Sequence, residues 1–108
     1  MRIAPIVLLT TSLSLAACSP CVERCRAESR AISSCLDDWG LDWGQLNATN
    51  AQDFREQCIA ADRLWLDALD DDERKAEQGV CSELTVDLRA ADDCAARWEA
   101  LVSYGDAS

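Results

Sequence analysis

Seven cysteines in 108 residues, at positions 18, 21, 25, 35, 58, 81 and 94, constrain this chain more than any other feature. So dense a set in a short chain belongs to an oxidising compartment, where thiols pair, and an odd number leaves one over. Chains of this size bury only about 60–65% of the surface they expose when unfolded. Covalent staples, at about 2–4 kcal/mol each, therefore supplement a small core. The sequence contains no His. That removes the commonest general base near neutral pH, the Ser–His and Cys–His nucleophile pairs, and the zinc sites that use imidazole. No catalytic residue, metal ligand set or cofactor motif is expected, and the chain reads as a non-enzyme.

The first seventeen residues differ from all that follow. Arg2 precedes the apolar run Ile3 to Leu9 and then a small-residue stretch ending in Ala16-Ala17, and no acidic residue occurs before Glu23. This order of charge, apolar run and small residues is that of a secretory signal peptide, too short and too rich in hydroxyls for a membrane span. Residues 1–17 are therefore expected to be a signal segment and 18–108 the mature domain. Leu15-Ala16-Ala17-Cys18 closes the segment. It resembles the lipobox of bacterial lipoproteins. The resemblance covers the signal alone and implies cleavage before Cys18, a diacylglycerol on its thiol and an acyl chain such as palmitate on its amine. It also implies a cell-envelope location, with Ser19 rather than Asp after the cysteine favouring the outer membrane. The alternative is cleavage without lipid, which gives a secreted protein. Several acyl chains hold a protein at a membrane where one gives marginal binding, at about 0.8 kcal/mol per buried methylene.

With Cys18 lipidated, Cys21, Cys25, Cys35, Cys58, Cys81 and Cys94 remain, an even number that reads as three disulfides. Loss of Arg2 leaves nine Lys/Arg against twenty Asp/Glu, a net charge of −11. Nucleic acid is a poor partner for such a surface, whereas a basic protein or cationic peptide is drawn to it.

Three segments carry helical periodicity, and no strand-like alternation is visible. The first spans about Pro20 to Asp38, with Val22, Cys25, Ser29, Ile32, Leu36 and Trp39 on one stripe. The second spans about Asn50 to Leu69, with Thr49 and Gln52 at capping-box spacing and Phe54, Cys58, Ala61, Trp65 and Leu69 on its stripe. The third follows Ser82, carries Leu84, Leu88, Ala91, Ala95, Trp98 and Val102, and is expected to stop at Gly105. The charged segment Asp70 to Val80 reads as a connector that begins with a helical turn or two and ends at Gly79. The expected fold is all-α, a three-helix up-down-up bundle. In that fold the first and third helices run parallel. The interval Cys21 to Cys35 nearly equals Cys81 to Cys94, so Cys21–Cys81 and Cys35–Cys94 fall at matching heights and Cys25–Cys58 remains. Cys25–Cys81 is the competing choice.

Other constellations are weaker. Cys25-x9-Cys35 resembles half of a twin CX9C hairpin, but no second copy exists. Cys18-Ser19-Pro20-Cys21 resembles a thioredoxin-type C-x-P-C motif without its βαβ context, and lipidation would consume its nucleophile. Saposin-like domains share the six cysteines and acidic helices, but not their spacing. The cluster Asp67, Asp70, Asp71, Asp72 and Glu73 has carboxylates enough for Ca²⁺ but not the spacing of an EF-hand loop, and reads as a solvated helix end. Four Trp accompany one Phe and one Tyr. Trp65 and Trp98 are expected in the core. Trp39 and Trp43, flanking Gly40 with Asp37, Asp38 and Asp42 nearby, either fold back over the bundle end or serve a partner, and Trp39, Trp43 and Asp42 are the candidate contact residues. The expected function is that of a lipid-anchored accessory or interaction module. The alternative is an acidic binder or inhibitor of a cationic enzyme or peptide.

Overall fold

The computed structural model describes residues 19–107. The expected signal segment and the lipid-bearing Cys18 lie outside these residues. All regular structure among the described residues is helical: α1 (Pro20–Trp39), a 3-10 turn (Trp43–Leu46), α2 (Ala51–Asp67), α3 (Asp71–Ala90) and α4 (Cys94–Ala107).

The sequence sets these boundaries through local capping. Pro20 occupies the first turn of α1, where a missing N–H costs nothing. The helix ends at Gly40, whose φ of 65° is left-handed. Gly40 N donates to Asp37 O at 3.2 Å and Leu41 N to Leu36 O at 3.0 Å, the paired bonds of a Schellman motif. Helix α2 begins one residue later than the Thr49–Gln52 reading. Asn50 accepts from Asp53 N at 2.8 Å, and the Asp53 carboxylate accepts from Thr49 N at 2.8 Å.

The expected three-helix bundle is corrected to four helices. Asp70 and Glu73 form a reciprocal capping box. The acidic cluster therefore starts a full helix, in keeping with the favourable place of carboxylates at a helix N-terminus. Helix α3 passes through Gly79, the expected stop, and through Ser82, the expected start. The long third helix instead breaks at Ala91 to Asp93. Ala91 is extended, with ψ of 123°, and the Asp93 side chain accepts from Ala96 N at 2.8 Å, which caps a new helix. Gly105 does not stop α4, which runs to Ala107.

Helix α1 is the hub, and the chain runs up-down-up-down around it. Three links order α2 antiparallel to α1: Ser29 Oγ donates to Ala51 O at 2.9 Å, Cys25 bonds to Cys58, and Arg24 pairs with Asp62. Helix α3 runs parallel to α1, with Cys21 bonded to Cys81 and Ala27 and Ala31 packed with Leu84 and Leu88. Helix α4 returns, from Cys94 bonded to Cys35 at one end to Tyr104 over Arg24 at the other. These are the three pairs that the spacing argument selects, although Cys94 opens a fourth helix instead of lying within the third. One half of every disulfide belongs to α1. Apart from Ala27, Ala31, Leu84 and Leu88, with Ala100, Leu101 and Tyr104 packed on them, and the buried Arg24, Glu28, Ser29, Ile32 and Thr85, the interior is disulfide sulfur. The most deeply buried side chains are those of Cys21, Cys25, Cys35 and Cys81. None of the described helices is long and apolar enough to cross a membrane.

Candidate functional site

The end of α1 that carries Trp39 forms an open groove with the start of α4. The Gly40 turn makes Trp39 the last helical residue, and its ring leans across to α4, where the indole Nε1–H donates to Cys94 O at 3.1 Å. Its ring meets Trp98 edge to face, with centroids 5.3 Å apart and planes at 64°, a favoured aromatic geometry. The Cys35–Cys94 disulfide fixes the two helix ends, and Arg97 donates to Ser34 Oγ at 3.2 Å and lies 3.3 Å from Cys35 Sγ. The groove measures about 470 Å³ and is lined by Asp38, Trp39, Cys94, Ala95, Trp98 and Glu99. Two aromatic faces beside two exposed carboxylates suit a cationic side chain, through charge and through the π faces.

The three expected contact residues are engaged separately. Trp39 meets Trp98, as above. Trp43 lies against Phe54 of α2, centroids 5.8 Å apart. Asp42 caps the 3-10 turn, accepting from Gln45 N at 2.9 Å, while its own N–H donates to Gln45 Oε1 at 2.8 Å. Both rings and the carboxylate are therefore in use within the fold, with Asp42 still exposed and Trp39 and Trp43 half-buried. Trp98, expected in the core, is 45% exposed and supplies the second wall of the groove. Trp65, also expected in the core, is 55% exposed. The α2 stripe meets α1 at Cys58 and the 3-10 turn at Phe54, while Trp65 lies further along the same face, more than half open.

A second cluster had no sequence signal. Arg24 is buried and reaches two carboxylates, Glu28 at 2.8 Å and Asp62 of α2, with the Tyr104 ring 5.3 Å from its guanidinium. Its Nε has no hydrogen-bond partner among the described residues. Burial raises the Glu28 pKa above the ordinary 4.5, with Arg24 opposing the shift. Burial likewise raises the Tyr104 phenol, again against the pull of Arg24. Asp62 sits between two staples, within 4.8 Å of sulfur atoms from Cys21 and Cys81 and from Cys25 and Cys58. All four sulfurs are in disulfides and offer no thiolate, the form that binds a metal. The cluster ties α1, α2 and α4 together.

The chain matches no protein-family model, no curated protein and no solved structure.

Proposed function

We propose that the chain is a non-enzymatic, lipid-anchored envelope protein that presents a disulfide-stapled helical module to a partner. One observation carries this reading. Six of the seven cysteines are consumed in three disulfides, so Cys18, at the end of a lipobox-like leader and two residues before α1, is the one left for another chemistry. The groove of Trp39 and Trp98 lies at the far end of α1 from Ser19, about 30 Å away at 1.5 Å per residue. A lipid at Cys18 would thus leave the groove facing outward. Its carboxylates, Asp38 and Glu99, favour a basic partner. The same charges support the second reading, an acidic binder or inhibitor of a cationic enzyme or peptide.

Intact-mass measurement of the full chain expressed in a bacterium and recovered from its membranes tests the proposal. The expected mass is that of residues 18–108 plus a diacylglycerol and an N-acyl chain, with six thiols appearing only after reduction. A mass without lipid, or a free thiol at Cys18, would overturn it. Salt then separates the two readings, because a binder working chiefly through charge loses affinity steeply as ionic strength rises.

A further inference from the structure

We propose that Cys35–Cys94 is a thiol–disulfide exchange site, the staple of the three that an external dithiol opens in the folded protein. Exchange needs one sulfur that can be reached and a partner sulfur that leaves as a stable thiolate. Cys94 is half-buried and lines the groove beside Trp39 and Trp98. Its partner Cys35 is fully buried, at 0% exposure. An incoming thiolate therefore meets Cys94 Sγ, and Cys35 is the sulfur expelled. Arg97 stands where the expelled charge appears. Its Nη1 is 3.3 Å from Cys35 Sγ and 4.0 Å from Cys94 Sγ, and Ser34 Oγ is 3.8 Å from Cys35 Sγ. Arg97 forms no ion pair among the described residues, so its charge is available to the departing thiolate. A guanidinium beside a cysteine favours the thiolate.

The other two staples each lack a requirement. Cys21 and Cys81 are both 1% exposed, so neither sulfur of that pair is open to attack. Cys58 is half-buried, but attack there would expel Cys25, whose Sγ lies 3.3 Å from the Asp62 carboxylate. Arg24 is 3.6 Å from the same sulfur, yet its charge is already met by Glu28 and Asp62. The two staples around Asp62 thus face a carboxylate, and the third faces a free guanidinium.

The exchange is two successive displacements. One thiolate of the dithiol attacks Cys94 Sγ, the Cys35–Cys94 bond breaks, and Cys35 departs as a thiolate beside Arg97. The second thiolate of the dithiol then attacks its own neighbouring sulfur in the mixed disulfide, and Cys94 departs. The dithiol ends as a disulfide, and the protein gains two electrons and the two protons the dithiol gave up. Opening this bridge frees the start of α4 and with it Trp98, one wall of the groove, while the other end of α4 stays held at Tyr104 over Arg24. Asp38 and Glu99 line the same groove and repel an anionic reductant. The fitting partner is a neutral dithiol, or one carried on a basic protein face.

The test takes the oxidised full chain through a time course in dithiothreitol without denaturant, traps free thiols with iodoacetamide and maps the labelled cysteines by peptide mass. Cys35 and Cys94 should take the label first and together, at a rate proportional to dithiothreitol concentration, while Cys21, Cys25, Cys58 and Cys81 remain paired. Arg97→Gln should slow this step about three-fold or more, and Arg97→Lys, which keeps the charge, should restore it. Reduction of Cys25–Cys58 should be the same in both variants as in the wild type. Label arriving first at Cys25 and Cys58 overturns the proposal. So does label arriving at all six together at a rate independent of dithiothreitol, the mark of reduction through global unfolding. An unchanged rate in Arg97→Gln overturns it as well. The presence or absence of lipid in the intact mass bears on none of these outcomes.

Discussion

Arg24 is the residue on which the interior of this small protein turns. Its guanidinium holds Glu28 one helical turn on and Asp62 across the α1–α2 interface. Removing one member of such a pair leaves an uncompensated buried charge, at a cost of about 3–5 kcal/mol. The more informative experiment is at Glu28. Burial raises its folded-state pKa, so the folded chain binds that proton more tightly than the unfolded one. The stabilisation is complete below the ordinary pKa of 4.5 and is lost as pH rises through the raised value. Acidification from about pH 7 into that window should therefore raise the urea midpoint of the wild type more than that of Glu28→Gln. Equal gains in the two proteins would show that Glu28 does not carry the effect. Nothing in the sequence announces this cluster. Arg24 and Glu28 have the spacing of any surface ion pair on a helix, and the partner that changes their meaning lies 38 residues away.

At the scale of the element, capping decides what periodicity leaves open. The first two helices were legible because their apolar stripes are continuous and Pro20 and the Thr49–Gln52 spacing mark their starts, the second one residue early. The stripe from Leu84 to Val102 is equally continuous across Ala91, Asp92 and Asp93, and an apolar repeat cannot reveal that a carboxylate will cap a new helix there. Glycine misled in the opposite direction. Gly79 stands exposed in α3, and a Cβ at that position would meet no atom within 4 Å. Gly79→Ala should accordingly stabilise the protein by about 0.5–1 kcal/mol, read as a rise in the urea midpoint at unchanged slope. Of the candidate contact surface, Trp39 and its carboxylate neighbour Asp38 were legible. Trp98 and Trp65 were not, because a stripe names the face of a helix and says nothing about whether a neighbour covers it.

At the scale of the whole molecule, three disulfides close loops of 60, 33 and 59 residues. In the chain-entropy account each contributes about 4 kcal/mol, against a total stability of about 5–15 kcal/mol for an ordinary domain. The fully reduced chain should therefore lose most of its helical circular dichroism at 37 °C under conditions where the oxidised chain is folded. Retention of the signal after reduction would show that the apolar contacts of Leu84 and Leu88 suffice alone. Because one half of every disulfide sits on α1, the chain also tolerates cleavage of its backbone. A cut in the 3-10 segment, in the acidic turn, or at Asp92 leaves the two pieces joined through Cys35–Cys94 in every case, and through at least one further bridge in the first two. A single cut at any of these three places thus sheds no fragment. A population of these molecules can age by proteolysis while each keeps its pieces together.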